Sequence, residues 1–316
     1  MLMKLPYSLS FLALILLFVF NPCYAQITVE DSLGKRTLSS VPIRVATLNW
    51  DVAEQVIELG VTPIAMPNIE GYKQWVVKPT ASNSIQDIGT RVEPNLERLA
   101  ELNPDVIIIA SPQLDLLDRL EQIAPVLYYQ TYSADHNNIS SAIENYRRIA
   151  KVLGKVEFAE QRLDTMRKRL NDLKQQLSIA YGGSLPNVAV FRFSSLTSIY
   201  LYGDNSITQY ALNQLGINPA LPQPSTQWGV TQKRLMDLNK LFDDSVALYI
   251  LPFDQEEKLK SSVLWKAMPF VQNNRVNSVE SVWSYGGAMS IIYNAEALTQ
   301  SLLEIAPHKI KTSSDK

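Results

Sequence analysis

Arg91 stands in "GTRVEPN", two residues after Gly89 and three before Pro94, where so strongly solvated a cation calls for a partner. Gly89 permits tight backbone geometry and Pro94 suits a first helical turn, so Arg91 is expected near a helix N-terminus, where the potential favours anions. Its guanidinium offers a fork of donors to adjacent oxygens. The chemistry open to it is the holding of an anion; the simpler alternative is a surface ion pair with Glu93, which would contribute little. Arg192, in the apolar run "VFRFS", is a second cation that wants a partner. Aromatic residues recur in comparable places. Trp50 follows the run "RVATLN", Tyr72 and Trp75 lie in "IEGYKQWVVKP", Trp228 in "LPQPSTQWGV", and Trp283 and Tyr285 in "SVWSYGG". Aromatic walls with few polar groups suit a medium-sized, partly apolar ligand. The fifth tryptophan, Trp265 in "SVLWKAMPF", has helical apolar neighbours and reads as core.

Catalytic motifs are missing: the chain has no G-x-S-x-G elbow, no phosphate loop and no dinucleotide fingerprint. Its two histidines, His136 and His308, are far apart in polar contexts, which disfavours a bare zinc or manganese site. The paired carboxylates Asp243-Asp244 and Glu256-Glu257 read as solvated surface. No catalytic residue and no protein metal ligand is assigned.

The elements that must position these side chains alternate. "IRVATL" precedes the amphipathic "WDVAEQVIELG"; "EPNLERLAELNPDVIIIAS" gives a helix ending near Asn103-Pro104 and a buried strand over 106–110; "LDLLDRLEQIAPVLYY" repeats helix, proline and strand. "NVAVFRFS", "SIYLYG" and "SVALYIL" read as further strands. "NSITQYALNQLG" is a helix capped by Asn205 or Ser206, and a last helix runs from about Tyr285 to Leu303. This is α/β patterning with mostly parallel sheets, whose ligands gather beyond the carboxyl ends of the strands. Between the two regions lies a stretch of about 25 residues without proline or internal glycine, closed by Gly182-Gly183. Its apolar stripe, Phe158, Leu163, Met166, Leu170, Leu173 and Leu177, predicts one rigid helix between two lobes. The expected division is a signal peptide at 1–25, an N-terminal lobe at 26–154, the helix at 155–183, a C-terminal lobe at 184–305 and a tail at 306–316.

Residues 1–25 carry one lysine, an apolar run from Leu9 to Phe20 and a small residue at Ala25, the pattern of a secretory signal cleaved before Gln26. Cys23, the only cysteine, lacks the small residues expected before a lipidated cysteine. Cleavage removes Lys4 as the one charged residue, so the formal charge moves from -2 to -3. Nucleic acid is a poor partner for such a chain, and a periplasmic monomer without disulfides is expected.

"IGTRVEPNLERLAELNPDVIIIAS", the long helix and "LWKAMPFVQNNRVNSVESVWSYGGAMS" together resemble the periplasmic iron-siderophore binding proteins of ABC importers, over about Ile27 to Leu303. "GTR-x-EPN-LE" is shared by several branches, including ferric-citrate binders, and its combination with "LW-x-AMPF-V" and "VW-x-YG" is closer to the ferric hydroxamate, or ferrichrome, branch. The resemblance implies the class III fold of two α/β lobes on one helix, with a shallow cleft and little closure. It implies that Arg91 hydrogen-bonds iron-coordinating oxygens, that Trp50, Trp75, Trp228, Trp283 and Tyr285 line the cleft, and that the siderophore itself holds the iron. Two positions depart from the branch. Gln113 stands where a ligand-contacting tyrosine is expected, and Arg192 adds a cation, which favours a more anionic ligand, so that a citrate-hydroxamate chelate of the aerobactin or schizokinen kind stands beside ferrichrome and ferrioxamine. Docking on the inner-membrane ABC permease through one acid per lobe maps onto Asp118 and, near Lys233, Asp237. A carrier of ferric citrate, haem or a corrinoid on the same fold, and an exported hydrolase, are the alternative readings.

Overall fold

The computed structural model of the protein describes residues 26–242 and 244–307. The signal segment with Cys23, Asp243, His308 and the rest of the tail lie outside the described residues. The first lobe opens with a hairpin of β1 (Ile27–Asp31) and β2 (Gly34–Leu38), which the periodicity did not announce. Its main sheet has the order β5-β4-β3-β6-β7, all parallel, built from β3 (Val45–Thr47), β4 (Ala65–Met66), β5 (Gln86–Asp87), β6 (Val106–Ile109) and β7 (Val126–Tyr128). The four residues of β6 are completely buried, as expected of a strand covered on both faces. Four helices lie between these strands: α1 (Trp50–Glu58), α2 (Ile69–Trp75), α3 (Leu96–Glu101) and α4 (Leu117–Leu120). The stretch before β7 is shorter in helix than its pattern suggested, since a tight 3-10 turn at Ser111–Leu116 precedes α4.

The amphipathic α5 (Asn138–Val152), not anticipated, leads into α6 (Val156–Ala180), the 25-residue helix between the lobes. Its buried stripe is Ala159, Leu163, Met166, Leu170, Leu173 and Leu177, spaced alternately four and three residues apart. Phe158, expected in the stripe, is exposed, because at the first turn the inward position falls one residue later, on Ala159. Each fully buried leucine contributes roughly 1.5–3 kcal/mol, so this face holds α6 as a strut. It packs on α5 and, beyond the next lobe's strands, on the last helix.

The second lobe is a sheet of order β10-β9-β8-β11-β12, from β8 (Val188–Phe193), β9 (Ser198–Tyr202), β10 (Val230–Arg234), β11 (Val246–Ile250) and β12 (Val276–Val279). β8, β11 and β12 are parallel, whereas β9 and β10 pair antiparallel, so half of this sheet's pairings are parallel. Its helices are α7 (Ile207–Gln214), capped by Ser206, the short α8 (Glu256–Ser261), α9 (Val263–Lys266) and α10 (Pro269–Gln272), and α11 (Ser290–Glu304). α11 begins five residues later than expected. The Gly286-Gly287 pair stays outside it and lies against α1: a Cβ on Gly286 would fall 2.1 Å from a Glu54 carboxylate oxygen, and one on Gly287 would fall 2.2 Å from the Gln55 side chain. Only glycine admits so close an approach between lobes. Trp265 is buried among Phe193, Tyr249 and Phe270, in the core of this lobe.

Candidate ligand-binding site

Residues that follow β3, β6 and β7 at their carboxyl ends converge on one cavity of about 280 Å³. Asn49 and Asp51 come from the β3–α1 junction, Ala110, Ser111 and Pro112 from beyond β6, and Thr131 and Tyr132 from beyond β7. The second lobe contributes Trp228, Trp283 and Tyr285. Arg91 completes the lining from the turn after β5.

That turn is held from several sides. Gly89, at φ 90°, pairs across it with Pro94, its amide donates to Asp87 Oδ1 at 2.8 Å, and the Asn95 amide donates to the Ile88 carbonyl at 2.7 Å. Pro94 therefore closes the turn instead of opening a helix; Asn95 caps α3 by accepting from the Arg98 amide at 2.8 Å. Nor does Arg91 pair with Glu93. Its guanidinium carbon lies 3.9 Å from the centroid of the Trp50 ring and 5.9 Å from that of Trp283. Such a contact contributes about 0.5–2 kcal/mol and leaves the in-plane donors free. Burial lowers the guanidinium's proton affinity, while the charge of Asp51 opposes that shift. Among the described residues no ion pair includes Arg91 or Arg192.

The aromatic wall is one connected set. Trp50, almost wholly buried, donates its indole N–H to the Pro67 carbonyl at 3.0 Å and meets Trp283 edge-on at 5.2 Å. Trp283 meets Tyr285 at 5.4 Å, and Trp228, 43% exposed, forms the rim. Trp228 stacks on Tyr132, with centroids 5.6 Å apart and planes at 24°. Tyr132 was not singled out from the sequence, although it is a first-lobe residue that closes the cavity against the second. Its hydroxyl donates to the Gly286 carbonyl at 2.9 Å. A polar loop such as "QTYSADHNN" gives no pattern that marks its tyrosine as inward.

Four expected contacts fall elsewhere. Tyr72 is fully buried behind Trp50 and donates to the Pro79 carbonyl at 2.9 Å, so it supports the wall without facing the cavity. Gln113 is also fully buried: its Nε2 donates to the Arg91 carbonyl at 2.8 Å and its Oε1 accepts from the Ala110 amide at 3.3 Å. It positions the Arg91 turn instead of presenting a donor to a ligand. Trp75 and Arg192 lie outside the cavity lining and bridge the lobes, the guanidinium carbon 5.0 Å from the Trp75 centroid and Nη2 donating to the Val282 carbonyl at 3.3 Å. The partner that Arg192 needs is an aromatic face and a carbonyl, not an anion. At the surface, Asp118 is exposed, whereas Asp237 accepts from the Arg234 amide and sits 3.6 Å from both Arg234 and Lys240. Among the described residues no group of three or more His, Cys, Asp or Glu is placed to hold a metal ion, and no helix is long and apolar enough to cross a membrane.

The profile of the periplasmic binding protein family matches residues 45–282, which carry both main sheets and α6. The chain belongs to this family. Its two lobes on a single helix are the class III arrangement of that fold. It is similar, at 52% identity and a TM-score of 0.82, to the crystal structure of the Fe3+–Desferal-bound siderophore binding protein FhuD from Vibrio cholerae, covering 84% of this chain and 99% of that one. Over 270 residues it is 26% identical to the iron(3+)-hydroxamate-binding protein FhuD of Escherichia coli strain K12, with 83% of this chain and 87% of that protein covered. It is also 26% identical, over 306 residues and 93% and 94% of the two chains, to the Fe(3+) dicitrate-binding periplasmic protein FecB of the same strain.

Proposed function

We propose that the protein is a periplasmic receptor that captures a ferric, hydroxamate-containing siderophore and hands it to an inner-membrane ABC importer. The observation that carries this reading is a lone guanidinium laid on Trp50 at a cavity built from both lobes and walled on one side by Tyr132, Trp228, Trp283 and Tyr285. Arg91 keeps its donors free for oxygens, and the flat rings around it cover organic shell. In this reading the siderophore supplies all of iron's ligands and the protein contacts only the chelate. At about 280 Å³ the cavity is at the small end of ligand sites, which run from ~300 to 1,000 Å³. A three-armed chelate would seat its iron–oxygen centre there and leave its backbone against Trp228 at the rim. The similarity to the Fe3+–Desferal-bound protein favours hydroxamates over dicitrate, for which the likeness in identity is half as great.

The lobes are tied by Tyr132 to Gly286, Arg192 to Trp75 and α6, so capture proceeds with little closure. Asp118 is free to meet a cation of the permease; Asp237, already between two cations, would be a weaker contact, and such rim charges mainly steer association. Export would use the segment 1–25. Tryptophan-fluorescence titration tests the reading, because Trp228 and Trp283 line the site. The panel is Fe3+–Desferal, ferrichrome, ferric aerobactin, ferric citrate, a ferric catecholate, haem and the iron-free hydroxamates. Saturable quenching by the ferric hydroxamates at the lowest concentrations is expected. Quenching by none of them, or by haem alone with a Soret band, would refute it.

A further inference from the structure

Asp51 has no role in the binding scheme above, yet it lines the same cavity as Arg91. It is 5% exposed, in the first turn of α1, and its Oδ1 has no hydrogen-bond partner. Burial pushes this carboxyl up to about 7, against the Val52 amide, the Thr131 hydroxyl, its own amide and, most weakly, Arg91, all of which favour the charged form. Arg91 is turned onto the Trp50 face, which explains its small influence. The other groups around Asp51 do little to hold a charge there. Glu54, one turn along α1, is an acid that the charge of Asp51 pushes further toward its neutral form; Tyr132, from beyond β7, spends its hydroxyl proton on the Gly286 carbonyl; and the second lobe presents Trp228, Trp283 and Tyr285, none of them charged.

We propose that Asp51 is a proton-linked recognition residue, which takes up one proton when the oxygen-rich centre of the ligand seats against Arg91. The inference rests on the ferric hydroxamate reading. Chelating oxygens carry negative charge, and an ionised carboxylate sharing a water-poor cavity with them repels them. A protonated Asp51 is neutral and can donate a hydrogen bond to such an oxygen instead. The proton comes from solvent, and nothing else changes hands. Binding and protonation then strengthen each other, so affinity is highest on the acid side and falls as pH rises through the free protein's titration.

The test measures dissociation constants for Fe3+–Desferal by tryptophan quenching from pH 5.5 to 8.5, with the complex's visible band showing that it stays intact. The wild type should weaken by about thirtyfold between pH 6 and pH 8.5, for one proton and a free-protein midpoint near 7. Asp51→Asn keeps a donor without a charge, and its affinity should vary less than threefold over that range. Calorimetry of the wild type at pH 8, in two buffers of different ionisation enthalpy, should register uptake of nearly one proton per ligand and needs no variant. A flat wild-type profile with tight binding, an absence of proton uptake, or an Asp51→Asn slope equal to that of the wild type would overturn the role of Asp51 alone. No binding at pH 6 would overturn the ferric hydroxamate reading together with it.

Discussion

Glu54 is completely buried where α1 meets the second lobe, and replacing it with glutamine should reverse part of the protein's pH dependence of stability. One of its oxygens accepts from Ser290 Oγ at 2.7 Å and from the Gly287 amide at 3.3 Å, while the other has no partner. Burial, opposed by the Ser290 hydrogen bond and reinforced by Glu58, pushes the carboxyl up from 4.5 to about 8. The folded state therefore keeps this proton where the unfolded chain has released it. With fewer protons on the unfolded state, stability falls as pH rises. The contribution is fully present below pH 4.5 and is lost by about pH 8. Between pH 5 and pH 8 the loss amounts to roughly 3–4 kcal/mol at about 1.4 kcal/mol per unit, an appreciable share of a stability of about 5–15 kcal/mol. Glu54→Gln keeps the acceptor oxygen and cannot ionise. Urea unfolding of both proteins at pH 5, 6, 7 and 8 should show the variant gaining on the wild type by about 3 kcal/mol over the series. A difference that stays constant with pH would mean that Glu54 is ionised in the fold, and the reasoning from its burial would fail.

Arg91→Ala should weaken binding of Fe3+–Desferal at least tenfold, about 1.4 kcal/mol, and Arg91→Lys should recover only part of it because an ammonium lacks the planar fork; fluorescence titration reads both. Gln113→Leu leaves the Arg91 carbonyl and the Ala110 amide without their buried partner, so a stability loss of about 1–3 kcal/mol in urea is expected, with weakened binding although Gln113 does not face the cavity. Arg192→Ala should change affinity less than threefold while lowering the urea midpoint, since its contacts run to Trp75 and Val282 and not to the cavity.

Much of the architecture was legible because it depends on local chemistry. A β-branched run such as "VIII", bounded by Asn103-Pro104 and Ser111-Pro112, favours a short strand covered on both faces, and an uninterrupted amphipathic stretch ended by Gly182-Gly183 favours a long helix. That a tight turn surrounds Arg91 was legible for the same reason, since Gly89 admits the positive φ it needs, although Pro94 closes the turn where it was expected to open a helix. The reading weakened at pieces held by neighbours: the β1–β2 hairpin, whose strands are only five residues each, and the start of α11, delayed by glycines needed for contact with α1.

What the amino-acid sequence determined by itself was the alternation of strands and helices in two regions, the long α6 between them, and a stock of aromatic and cationic side chains. Which of those side chains line the cavity was decided only when the lobes met. Tyr72 and Trp75 share one short helix, yet Tyr72 lies under Trp50 and Trp75 receives Arg192 from the other lobe. Gln113 turned inward because the Arg91 turn presented an unpaired carbonyl within its reach, and Tyr132 and Asp51 joined the cavity because the segment beyond β7 and the start of α1, distant in sequence, close around it. Residue type and spacing set what a side chain can do. The direction it points across an interface depends on groups far away in the chain, and only packing brings those groups together.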